Sequence, residues 1–393
     1  MSGDLEREAL AELSALVEIG PRFHGTEGIR KAATFLSERL EALGLEVRAS
    51  KVRTTGWDPG GEARLVVTEP IGRDIPCWPM LWSGSAGELT AWLRPIGPQG
   101  LWADAMVWTK FAAIDEHGST VAYLHGRDGG PAAPQPLPIG SDESVPHLAI
   151  GRVDAMQLSE WIADGHDVRA HLDASAAHTP QAVSENLTVR IPGAGKGGPV
   201  LVCGHYDTFW NTPGAYDNGS GTIALLLLAR HWVATPPERP VEITFFTAEE
   251  WHLAGSRALV SEASRQWLEE LDFVINLDGL GRGDLLEVFI GPERFEDDVI
   301  RLIRAHGEAT RDALEVVSRF PPSYGTDHAS FYAAGVPSVH LTFNDLHRLH
   351  QPDDLPNEQI ASNIAWTVGL TKALVDRVAR PARHSLRGIT MPF

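Results

Sequence analysis

Apolar residues recur every three or four positions between Thr26 and Leu43, and Ile29, Ala33, Leu36, Leu40 and Leu43 fall on one face of a helix. Thr26 is placed to cap its start and Gly44 to stop it. A second helix is predicted before it, and a strand after it through Leu45, Val47 and Val52. From Leu187 onward the pattern turns regular. Apolar runs at Leu187–Ile191, Val200–Gly204, Val241–Thr247, Phe273–Leu277, Leu285–Ile290 and Ser338–Phe343 predict strands. Amphipathic stretches at about 219–234, 254–269, 296–313 and 358–378 predict helices between them. Strand–helix alternation of this kind implies an α/β sandwich, with helices on both faces of a mainly parallel mixed central sheet. Helix 26–43 belongs to the same layers.

Between about residues 54 and 178 the pattern is different. Six of the twelve tryptophans lie there, at Trp57, Trp78, Trp82, Trp92, Trp102 and Trp108, and residues 126–140 are rich in Gly and Pro. Short apolar runs at Ala63–Val67, Thr120–Leu124, His147–Ile150 and Val168–Leu172 predict strands, with one short helix from Asp154 to Gly165. This stretch reads as a mostly β domain inserted into a split α/β domain formed by 1–53 and 179–393. Its tryptophans suit packing in the core and between domains better than a ligand platform.

Composition narrows the function classes. The chain has 393 residues, 43% of them apolar, and a net charge of −19. A core of ordinary size follows. So acidic a surface disfavours nucleic acid and anionic membranes as partners. No apolar run approaches the ~18 residues that span a bilayer, and the start lacks the basic-then-apolar pattern of a leader. Cys77 and Cys203 make no disulfide framework. A cytoplasmic location fits these features, and a mature secreted form would look the same. The Pro-bearing, basic tail 379–393 suits a flexible end or a dimer contact, and no oligomeric state is assigned from sequence.

The chemistry shows at the strand ends, where open α/β sheets bind their ligands. Strand 200–204 is followed by His205, Tyr206 and Asp207, and strand 241–247 by Ala248, Glu249 and Glu250. Strand 273–277 leads into Asp278, and strand 338–343 into Asn344, Asp345, His347 and His350. Asp217 stands just before a helix in a Gly-rich turn. A single acid in such a place is usually a helix cap. Four strand ends of the same kind point instead to a metal site of imidazole and carboxylate ligands, as zinc prefers. Two such ions ~3.5–4 Å apart need a bridging carboxylate and a shared water, and a further carboxylate must take the water's proton. Glu249–Glu250 offers one glutamate more than the ligands require.

These residues resemble the co-catalytic double-zinc aminopeptidases, the group that includes glutamate carboxypeptidase II and the transferrin receptor, with glutaminyl cyclase as a relative. The motifs follow the family's order: Gly-His205-Tyr-Asp207, Gly-Ala-Tyr-Asp217-Asn-Gly-Ser-Gly, Thr-Ala-Glu249-Glu250-Trp-His-Leu-Ala-Gly-Ser, Asn-Leu-Asp278-Gly, Thr-Asp327-His328-Ala-Ser-Phe with Gly-Val-Pro, and Leu-His350-Gln-Pro-Asp353-Asp354. The likeness covers about 185–378, and 20–50 less closely. It implies two Zn²⁺ ions bridged by Asp217, with His205 and Asp278 on one and Glu250 and His350 on the other. Glu249 is then the general base. Asp207 would orient His205, and Asp327 would orient His350. It also implies a cis peptide at Asp217–Asn218, against a cost of ~3 kcal/mol, and it likens 54–178 to a protease-associated domain. On composition alone His347 competes with His350; Pro352 and the acid after it favour His350. His252 reads as structural or substrate-facing, and the bulky Phe209-Trp210-Asn211-Thr212 segment as narrowing the pocket.

The expected activity is hydrolysis of a peptide or small amide, most simply by an aminopeptidase acting on N-terminal residues. The alternatives are an amidohydrolase of small non-peptide amides and a single-zinc glutaminyl-cyclase type of acyltransferase. Retention of both His205 and Asp278 argues against the second. A receptor on the same scaffold would have lost ligands, and all five are present.

Overall fold

The computed structural model describes residues 2–378 except 101–106, 196, 312, 321, 323 and 324. The expectations for Trp102 and for the tail 379–393 lie outside the described residues. Two compact units form, one from 1–54 and 183–393 and the other from 55–182.

The chain opens with helices α1 (Ser2–Val17) and α2 (Glu27–Ala42) and strand β1 (Arg48–Asp58). Ile29, Ala32, Leu36 and Leu40 are the buried face of α2. Thr26 occupies the capping position, but its hydroxyl donates to the Phe23 carbonyl instead of accepting from the helix. The middle unit follows with β2 (Arg64–Glu69), β3 (Arg73–Asp74), β4 (Cys77–Pro79), β5 (Ala86–Gly100), β6 (Val107–Ile114), β7 (Thr120–Gly126), β8 (His147–Ile150), α3 (Arg152–Ala163) and β9 (Arg169–Ala174). The chain returns through β10 (Ala177–Ile191), β11 (Val200–His205), α4 (Ser220–Ala234), β12 (Val241–Phe246), α5 (Ala254–Glu262), α6 (Arg265–Glu270), β13 (Phe273–Leu280), β14 (Leu285–Gly291), α7 (Glu293–Thr310), β15 (Glu315–Arg319), α8 (His328–Ala333), β16 (Ser338–Phe343) and α9 (Glu358–Arg377).

The catalytic sheet runs β1-β10-β12-β11-β13-β16-β14-β15. Its centre is parallel, from β12 through β11 and β13 to β16, while β10 and β14 pair antiparallel to their inner neighbours. Central strands are buried on both faces, which is why they read as unbroken apolar runs. Leu201 and Cys203 pack with Leu259 and Val260 of α5, Trp267 of α6 and Phe331 of α8. Helix α4 lies on β11 and β13 under α1 and α9. Enclosed in this way, Ile223–Ala229 of α4 is buried all round.

Sequence periodicity erred in several places: β5 and β6 were not expected, and β10 begins ten residues before the expected Leu187. The single helix expected at 254–269 is two, because Ser264 takes extended backbone and caps α6 by accepting from Trp267 N–H. The helix expected at 296–313 spans 293–310. Strand β15, with alternating exposed and half-buried residues, was not anticipated.

The middle unit holds a second sheet, β3-β2-β9-β5-β6-β7-β8-β4. Trp57 and Trp108 are buried there, whereas Trp78, Trp82 and Trp92 are partly exposed and Trp92 faces the Arg169 guanidinium. His147 Nε2 lies 2.8 Å from the Asp142 carbonyl and must donate to it. Its Nδ1 therefore accepts from His125 Nε2, at 2.9 Å. Both rings are held neutral: burial lowers His147 to about 4 and His125 well below the usual value. The unfolded chain takes up these protons near pH 6.5 and the folded chain does not. Stability therefore falls as pH drops from about 6.5 to about 4, by on the order of 2–3 kcal/mol for His147. Urea unfolding at pH 7, 5.5 and 4 checks this, and the His147→Phe variant is expected to lose less stability over that range.

Candidate metal centre

The site is assembled at the carboxyl ends of β11, β12, β13 and β16 and at the turn before α4. His205 is the last residue of β11, and Asp278 lies in β13. Glu249 and Glu250 follow β12 in a tight turn whose Ala248, His252 and Leu253 take positive φ. Asp217 sits in the turn 215–219, and the peptide to Asn218 is cis, as expected. Gly221 lets the first turn of α4 come against β13, since a Cβ there would lie 2.1 Å from the Leu277 oxygen.

Two histidines meet four carboxylates. His205 Nε2 is 3.2 Å from Asp278 Oδ1, 3.2 Å from Asp217 Oδ1 and 3.9 Å from Glu249 Oε2. His350 Nε2 is 3.1 Å from both Asp217 Oδ2 and Glu250 Oε1. One oxygen of Asp217 thus faces each imidazole. Donor atoms fall into two groups, His205–Glu249–Asp278 and Asp217–Glu250–His350, all buried. His350 is buried within the second group, while His347 is exposed and belongs to neither. His252 lies in the tight turn, outside both groups.

Asp207 ties the two halves of the backbone together. Its carboxylate is 3.4 Å from His205 Nδ1 and accepts from the Glu249 and Glu250 N–H groups at 3.1 and 3.3 Å. Nδ1 also lies 3.2 Å from the Asp207 carbonyl, so when the ring gives up its second proton the lone pair falls on Nε2, facing the carboxylates. Asp327 is fully buried, and burial pushes its carboxyl up to about 7, against the charge of His205 and a hydrogen bond from Ser256, with Asp278 and Asp207 adding to the rise.

Electrostatics point to a cation. Burial works against charge on His350, yet Glu250 and Asp217 outweigh it and lift the ring to about 10. His205 rises well above its usual value in the same way, against burial, through Asp278 and Glu249. Burial pushes Glu250 up to about 7 and Glu249 far above the carboxylate range, with Asp278 and Glu250 adding to the latter. Such a cluster holds protons in place of cations, and divalent ions would displace them. Glu250 Oε1, buried and 3.1 Å from His350 Nε2, is suited to a metal shared with that ring. Each group supplies one imidazole nitrogen and two carboxylate oxygens, a set that fits zinc with a position left for water.

Two further residues hold this geometry, and patterning did not single them out. Asp354 accepts from Tyr216 N–H at 2.8 Å and from Asp217 N–H at 3.2 Å, fastening the turn that carries Asp217. Arg22, fully buried, donates to the carbonyls of Tyr206, Pro213 and Gly214 at 2.7, 2.7 and 2.9 Å. Burial lowers its pKa to about 10 against Asp354, Asp207 and Asp217. The acid after Pro352 was a hint of Asp354; a lone Arg before a helix carried no signal. Removing the Asp354 acceptor in Asp354→Ala leaves two buried N–H groups and a buried guanidinium short of charge. The variant is expected to lose about 2–4 kcal/mol of stability and to retain metal less well, as urea midpoints and metal analysis would show.

The model of peptidase family M28 matches residues 186–375, which contain every member of this cluster. The segment belongs to peptidase family M28. Its M28 catalytic unit, with the buried imidazole–carboxylate donor set, is that of a metallopeptidase. Relatives matched over most of both chains include aminopeptidase YwaD of Bacillus subtilis, 25% identical over 86% of this chain and 76% of that one. Carboxypeptidase Q of Rattus norvegicus is 24% identical over 88% of this chain and 79% of its own. Among solved structures, the M28 peptidase precursor of Shewanella amazonensis matches with a TM-score of 0.76 at 18% identity, covering 98% of both chains. A zinc aminopeptidase from Bacillus subtilis matches at 0.67 and 22% identity, covering 95% of each. These two likenesses establish the M28 fold.

Proposed function

We propose that this M28 chain is a two-zinc aminopeptidase that releases N-terminal residues, with Glu249 as general base. The observation that carries the two-ion reading is Asp217, whose separate oxygens face His205 and His350. His205, Asp278 and Asp217 would hold one ion, and His350, Glu250 and Asp217 the other. Bound zinc would acidify water and polarise the scissile carbonyl. Glu249 is left over from this assignment, although its oxygen falls within the first donor group, 3.9 Å from His205 Nε2. Its carboxylate takes the proton of the attacking water and passes it to the departing amine. Asp207 keeps His205 in the tautomer that ligates and fixes the Glu249 backbone.

Charge favours an amine end over a carboxylate end. Buried anions dominate the site, and the buried cation beside it, Arg22, donates from all three guanidinium nitrogens to backbone carbonyls. A free α-amino group is the complementary partner. Incubating the zinc-reconstituted protein with peptides bearing free or acetylated N-termini, read by mass spectrometry, tests the reading. Stepwise N-terminal loss from the free peptides alone is expected; C-terminal shortening of both sets would replace it with a carboxypeptidase.

A further inference from the structure

The catalytic sheet ends at β15, and among the described residues no strand covers its outer side. β15 pairs in parallel with β14, and Glu315 N–H donates to the Asp284 carbonyl at 2.8 Å. Backbone groups alternate along a strand. Glu315, Val317 and Arg319 thus turn theirs toward β14, and Val316 and Ser318 present theirs outward. Natural edges of this kind are blunted by proline, a bulge, charged side chains or a covering helix or loop. β15 contains no proline, and it exposes Val317 by 39%, beside Leu285 at 43% and Phe320 at 45%.

Its two charges do not repel a second copy in the antiparallel sense. A two-fold axis at Val317 sets Glu315 of one copy opposite Arg319 of the other, twice, on the face where opposed side chains touch. A parallel pairing in register would set like against like. Arg319 is already held by Glu287, with Nε 2.7 Å from Oε1, and its side chain remains 54% exposed. It is thus ordered in advance and still open to a second carboxylate. The same register lets Val316 and Ser318 of one copy exchange main-chain hydrogen bonds with Ser318 and Val316 of the other. The two Val317 residues then meet at the close, non-hydrogen-bonded position, with Cα atoms ~4.5 Å apart. Five residues alone bury too little for a stable interface, which needs roughly 1,200 Å² or more. Helix α7 adds to it: it flanks β15, with the Ser318 hydroxyl donating to Glu296, and a groove of about 450 Å³ between them is lined by Asp297, Arg301, Arg304 and Glu308. With Asp297 near the start of α7, Arg301 and Arg304 further along and Glu308 beyond them, this face offers both signs of charge to a second copy.

We propose that this chain self-associates through β15, two copies pairing antiparallel about Val317 so that their catalytic sheets become one. The proposal does not depend on the peptidase reading. Sedimentation velocity of the full chain over a roughly hundredfold concentration range is expected to show a monomer–dimer equilibrium. Glu315→Arg, which sets arginine against Arg319 of the second copy, is expected to weaken the dimer at least about tenfold, with an unchanged thermal midpoint showing that the variant is folded. Val317→Cys is expected to give a disulfide-linked dimer under mild oxidation, and Val316→Cys and the parent chain are not. A chain that stays monomeric throughout would overturn the proposal. So would a dimer that is indifferent to Glu315→Arg and gives no Cys cross-link from position 317.

Discussion

Glu249→Gln is expected to retain its metal and its fold and to lose roughly 10²–10⁴-fold in kcat. The substitution is isosteric, and the backbone N–H that Asp207 accepts from stays in place. What disappears is the ability to take a proton. Neither metal group in the proposed assignment needs Glu249, whose Oε2 lies 3.9 Å from His205 Nε2 while Asp278 and Asp217 lie at 3.2 Å. Steady-state rates on an N-terminally free peptide, alongside metal content and a thermal midpoint, check this. A fully active variant would remove Glu249 as the base; loss of one ion would recast it as a ligand.

Asp217→Asn is expected to do more damage, and of another kind. The two carboxylate oxygens of Asp217 lie 3.2 Å and 3.1 Å from the imidazoles of the two groups. Hydrogen bonds from both rings outweigh burial and hold this carboxyl below its usual range. An amide of the same shape offers one oxygen and no charge. At least one ion is expected to bind about 100-fold more weakly, or worse, since losing even an outer partner of a ligand commonly costs 10–100-fold. Activity at limiting zinc should fall with it, and excess zinc should restore it only in part. Calorimetric zinc titration of the metal-free protein reads the stoichiometry directly. Two ions bound with the parent's affinity would place the bridge elsewhere. Asp354→Ala separates support from ligation, because it leaves Asp217 intact and loosens only the turn beneath it.

Much of the catalytic unit was legible before any coordinates. Unbroken apolar runs identified the buried parallel strands, since a strand covered on both faces carries no polar alternation. Acids and histidines just beyond those runs identified the donor set, because a parallel sheet delivers its strand ends to one edge. Elements marked by weak or ambiguous patterns were harder. β15 alternates exposed and half-buried residues over five positions, too short and too mixed to separate from loop. The break between α5 and α6 depends on Ser264 leaving helical backbone, which periodicity does not register.

Sequence alone determined which residue types meet at the strand ends and in what order along the chain. Those facts follow from local patterning and from the parallel topology it imposes. Only the tertiary structure separates His350, buried beside Asp217 and Glu250, from the exposed His347. It alone divided the Asp217 oxygens between two imidazoles and brought Arg22 across 184 residues to the Tyr206 carbonyl. Contacts between residues so distant in sequence leave no periodic trace, because what fixes them is the packing of whole elements and the need of every buried polar group for a partner.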